Sequence, residues 1–77
     1  MNKHRRKYLA EAVSKLEEAM SIVEDVRGEE EDAFDNMPEG LQSSERGEQM
    51  EEYIGTLEDV YDSIDECMAS LYDIIEG

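Results

Sequence analysis

From Tyr8 onward the apolar residues fall at Leu9, Ala12, Val13, Leu16, Ala19, Met20, Val23 and Val26. Steps of three and four put them on one stripe of an α-helix. Beyond Gly28 and the run Glu29-Glu30-Glu31-Asp32, the residues Ala33, Phe34 and Met37 continue that stripe, so the spacing predicts a first helix over about 8–36. A glycine inside a helix costs about 1 kcal/mol relative to alanine, a loss that a helix of this length tolerates. The segment Asn36-Met37-Pro38-Glu39-Gly40 ends it, because Pro38 has no amide hydrogen and biases Met37 away from helical geometry, and Pro38 can itself start a new turn. The turn is expected over 37–43, with Leu41 packed over the end of the hairpin.

Ser43 or Ser44 is a natural N-cap for a second helix over about 44–76, with Glu45 and Glu48 complementing the positive end of its dipole. That helix carries the clearest pattern in the chain. Met50, Ile54, Leu57, Tyr61, Ile64, Met68, Leu71 and Ile75 alternate steps of four and three without a miss, which is a heptad seam. Tyr53, Val60, Cys67 and Ile74 recur every seven residues beside it and widen the apolar face to three positions in seven. One short partner helix covers only part of such a face. The pattern therefore predicts an all-α protein: an antiparallel helical hairpin of two long amphipathic helices, dimerising into a four-helix bundle through Tyr53, Val60, Cys67 and Ile74.

Composition sharpens this picture. The chain has 77 residues, too few for more than one small domain and marginal for an isolated core. Its only cysteine is Cys67, so no internal disulfide supplements the core, and a lone thiol fits a reducing cytoplasm. Leu9 to Val26 is interrupted by Glu11, Lys15, Glu17, Glu18, Glu24 and Asp25, which argues against an export signal, and no stretch approaches the roughly 20 apolar residues of a membrane span. The expectation is a cytoplasmic protein without membrane contact.

The net charge of -15 is unevenly distributed. Lys3, Arg5, Arg6 and Lys7 give residues 1–7 the character of a basic tail, while the domain over 8–77 holds all 22 acids against three cations, a net of -19. Such a body repels phosphates, so direct nucleic-acid binding is not expected. The economical role for the tail is to pair with acids near the end of the second helix, its first turn frayed because cations oppose the dipole there.

The candidate chemistry is sparse. Asp59, Asp62, Asp65 and Glu66 are spaced three or four apart but lie on the polar side of the seam, whereas carboxylate metal sites in bundles project inward and use Glu-x-x-His pairs. The only histidine, His4, stands in the basic segment. Asp32 to Gly40 lacks the alternating ligands of a calcium loop. Glu48-x-x-Glu51 echoes the paired carboxylates of helical nucleoside-triphosphate hydrolases, yet no lysine stands near to hold phosphates. Cys67 has no histidine on its helix and reads as a small packed hydrophobe. No enzyme activity, cofactor or metal is expected.

The stretch Asp35-Asn36-Met37-Pro38-Glu39-Gly40-Leu41-Gln42, followed by Ser44-Glu45-Arg46, resembles a mark shared by a set of small, uncharacterised, acidic helical-hairpin proteins of bacteria and their mobile elements. The resemblance implies the hairpin layout and a mobile-element setting, where inhibitors of restriction or CRISPR effectors are common; it implies no site residues. The second helix, about 50 Å long at about 1.5 Å per residue, is anionic throughout. Its acids Glu51, Glu58, Asp59, Asp62, Asp65, Glu66 and Asp73 form the expected partner-binding face. The functional expectation is a non-catalytic acidic interaction module that mimics nucleic-acid charge and blocks a basic nucleic-acid-binding protein. The alternative is a structural self-assembling bundle module without a nucleic-acid-related target.

Overall fold

The computed structural model describes all 77 residues, as two long helices joined by a short helical turn. Helix α1 spans Lys3–Asp35, α2 is the single turn Glu39–Gln42, and α3 spans Glu45–Glu76. The two long helices lie antiparallel in a rod of 58 × 15 × 13 Å. No helix is long and apolar enough to cross a membrane.

The seam of α3 is the one its heptads specify, and α1 meets it with a matching series. Written as heptad positions a to g, α1 offers Val13, Met20, Arg27 and Phe34 at a, with Leu9, Leu16, Val23, Glu30 and Met37 at d. In α3, Gly47, Ile54, Tyr61, Met68 and Ile75 stand at a, with Met50, Leu57, Ile64 and Leu71 at d. All these seam residues are buried or half-buried. Yet only Val13 and Met68, at 4% and 7% exposure, are buried apolar side chains, and none is fully enclosed. Two helices alone enclose almost no interior.

Helix α1 runs through Gly28 without a break, and an added methyl at Gly28 or Gly55 would meet nothing within 4 Å. Its start differs from expectation. The residues read as a basic tail over 1–7 form the first turns of α1, because the Asn2 side chain accepts a hydrogen bond from the Arg5 amide at 2.8 Å and so caps the helix. The expected pairing of these cations with the acids of the second helix is also absent: every ion pair in the structure is made by Arg27. Register explains this. Tyr72 reaches Glu17 and Arg27 reaches Glu58, which sets Glu76 beside about residues 8–13 of α1. Lys3 to Lys7 therefore lie at and beyond the end of α3.

At the other end, α1 closes at Asn36, whose amide donates to the Asp32 carbonyl at 3.0 Å. Pro38 starts the next turn by accepting from the amides of Leu41 and Gln42 at 2.8 and 3.1 Å. The hairpin end is sealed by Gln42, not by Leu41, which is exposed. The Gln42 side-chain amide donates to the carbonyls of Phe34 and Met37 at 3.0 and 3.2 Å, satisfying acceptors that the end of α1 leaves free. Ser44, one of the two expected caps, accepts from the Gly47 amide at 3.3 Å and donates back to the Leu41 carbonyl. Gly47 is buried, and a Cβ there would stand 2.2 Å from the Gln42 carbonyl oxygen. The turn thus folds onto the backbone of α3 at the one seam position that has no side chain.

Candidate functional site

An antiparallel pair has a geometric consequence for its flanks. A twofold operation normal to the plane of the helices relates one to the other, so the e positions of both lie on one side of the seam and the g positions on the other. The contacts across the e side are visible. The Tyr72 hydroxyl donates to Glu17 at 3.2 Å, and Arg27 approaches Glu58 at 3.8 Å while pairing with Glu24 at 2.6 Å and with Glu31. Glu17, Glu24, Asp25 and Asp65 line one open groove with Met20, Tyr61 and Met68 at its floor. The e flank is therefore an acidic face assembled from both helices.

Arg27 is the internal counter-ion of this face. Its side chain is 20% exposed at a seam position, and the hydrogen bonds that it donates to Glu24 and Glu31 hold its proton above the ordinary arginine range. The Arg27 hydrogen bond likewise keeps the Glu24 carboxyl below the usual carboxylate range. Tyr72 shifts the other way: its hydrogen bond to Glu17, then partial desolvation and the negative charges of Glu17 and Glu76, raise its hydroxyl above the ordinary tyrosine value.

The acids expected to form a partner-binding face, Glu51, Glu58, Asp59, Asp62, Asp65, Glu66 and Asp73, are all exposed. The structure brings Glu58 and Asp65 together with acids of α1, and Glu51 stands in the same e column; Asp62 lies one position further round, and Asp59, Glu66 and Asp73 point to the outer side. Glu17, Glu24 and Asp25 of α1 also belong to the groove, beyond the acids of the second helix that the sequence marks. The signal that finds them is the heptad of α1, whose e positions read Glu17, Glu24 and Glu31. No group of three His, Cys, Asp or Glu side chains is placed to hold a metal ion.

The g flank is the opposite of the e flank. Tyr53, Val60 and Ile74 are 51%, 39% and 43% exposed, and Cys67 is exposed rather than packed, which corrects its reading as a small core hydrophobe. It is exposed because position g stands outside the seam that α1 covers. The neighbouring column of α3 reads Gln49, Thr56, Ser63 and Ser70, so the side of that helix turned away from the acids carries no charge from Gln49 onward. All eleven acids of α3 occupy positions b, e and f. The rod has an anionic side and an opposite, largely apolar side on which α1 places Lys15 and Glu29 at its c positions.

No protein-family model, curated protein or solved structure matches the chain.

Proposed function

We propose that this protein is a non-catalytic acidic interaction module that occupies the nucleic-acid groove of a basic protein and blocks it. The observation that carries this reading is the assembly of carboxylates from two helices on one flank of a rigid rod. The chain holds 22 acids along 58 Å, about one per 2.6 Å, against about one negative charge per 1.7 Å of duplex DNA. Charge at that spacing on a straight scaffold complements a groove built for phosphates and speeds encounter with it. The groove between Glu17, Glu24, Asp25 and Asp65 adds an apolar floor, which suits the stem and head of a partner's lysine or arginine. The resemblance of the turn sequence to proteins of mobile elements favours restriction or CRISPR effectors as targets.

The test is displacement of DNA or RNA from a panel of such effectors at low ionic strength. Displacement is expected to weaken with added salt and to disappear when Asp59, Asp62, Asp65 and Glu66 are replaced by their amides. No displacement from any effector, or unchanged inhibition by the amide variant, overturns the reading. A second reading, a structural module that acts by self-assembly, is favoured by the exposure of Tyr53, Val60, Cys67 and Ile74.

A further inference from the structure

The apolar flank is wider than the column on α3. The g and c positions of α1 on the same side of the seam carry Val26, 45% exposed, and Ile22, 63% exposed. Small side chains at Ala19 and Ala33 flank Val26 one turn-pair to either side. A face drawn from both helices is thus left open on a hairpin whose own interior buries only Val13 and Met68 among apolar side chains. Burial of that face would remove these apolar side chains from water, the main favourable term in association.

Charge decides what covers it and in which direction. Residues 29–52, at the turn end, hold ten acids and the single cation Arg46, a net of -9. At the opposite end Lys3, Arg5, Arg6 and Lys7 take part in no ion pair within the chain. Two rods side by side in the same direction would set acidic end against acidic end and basic end against basic end. Laid in opposite directions, each basic end meets the other's acidic end, and both acidic e flanks face outward. A twofold axis across the middle of the rod makes this contact self-complementary.

We propose that the largely apolar flank is an antiparallel dimer interface, covered by the same flank of a second copy whose basic end lies against the acidic turn. The inference shares with the self-assembly reading the premise that a second copy covers Tyr53, Val60, Cys67 and Ile74, and adds the Val26 side of the face and the direction. It is independent of the nucleic-acid-mimic reading, which concerns the other flank.

Sedimentation of the whole chain at tens of micromolar tests the premise, and charge exchange tests the direction. The expected result is a dimer, dissociated by Val60→Glu and by Val26→Glu with helicity kept in circular dichroism. A monomer overturns the inference, as does a dimer that both folded variants preserve. Replacing Lys15 by Glu leaves the hairpin intact, because Lys15 is exposed at a c position of the interface flank, seven residues from Ile22 as Glu29 is on the other side, and makes no ion pair. In the antiparallel arrangement this variant weakens the dimer at low salt by about tenfold, some 1.4 kcal/mol. Adding Glu29→Lys, at the c position toward the turn end, returns the net charge to -15 and restores the dimer. A dimer that the first exchange leaves unweakened, or that the second fails to restore, overturns the direction while leaving self-assembly standing.

Discussion

The two ends of the rod are built on opposite terms. At the turn end the free carbonyls of α1 are met by the Gln42 side chain, α3 is capped by Ser44, and the backbone of the turn sits against Gly47 with no space for a methyl group. At the open end α1 begins with one side-chain cap, from Asn2, followed by four cations that oppose its dipole and contact no acid. The closed end holds the fold; the open end is free to contribute charge to something else. A hairpin needs a fixed connection to bring two long helices into register, whereas its free ends carry no such requirement.

The largest effect that sharpens this contrast is expected at Gly47. Gly47→Ala drives a Cβ into the Gln42 and Leu41 carbonyls, which a backbone shift must relieve, and costs about 3 kcal/mol in urea unfolding, the upper range for overpacking. Gly28→Ala is the matched control, since its methyl group enters open space and stabilises by about 1 kcal/mol. Equal responses at the two glycines would break the comparison.

The caps give an intermediate effect. Ser44→Ala lowers global stability by about 1 kcal/mol, because losing that cap frees both α3 and the turn. Asn2→Ala is expected to change global stability by less than about 0.5 kcal/mol and to appear instead as faster amide exchange at Arg5 and its neighbours, the signature of local opening. A global loss at Asn2 as large as that at Ser44 would show that the open end is part of the cooperative unit.

The smallest effect lies between the ends and depends on pH. Tyr72 holds its proton more tightly in the folded state, so its bond to Glu17 contributes fully below the tyrosine range near pH 10 and is lost as pH rises through the raised value. Glu24 has the opposite sign: its depressed value means that its contribution is present at neutral pH and lost as pH falls through the carboxylate range. Thermal melts across alkaline pH should show a decline that Tyr72→Phe removes; an unchanged profile in that variant would assign the decline elsewhere.

Much of this architecture is legible in the chain because it is periodic. The eight seam residues from Met50 to Ile75, the break at Pro38 and the Ser44 cap follow from local rules that operate within a few residues. One further step of the same seam lands on Gly47, which the pattern of apolar residues passes over because glycine adds nothing to it. Gln42 is equally silent in sequence, since its role depends on carbonyls five and eight residues away that only a reversed chain brings within reach. Leu41, the apolar residue that sequence favours for that position, faces solvent instead.

The sequence by itself determines two helices, the place where the chain reverses and the separation of acids from apolar positions around α3. Periodicity and capping are properties of a single helix, and each can be read without a partner. Tertiary structure alone decides that the acids of α1 join those of α3 on one flank, that Val26 joins Val60 on the other, and that the four N-terminal cations stand clear of every carboxylate. Those outcomes depend on the antiparallel direction and the axial register of the pair, which the reversal at Pro38 to Ser44 sets.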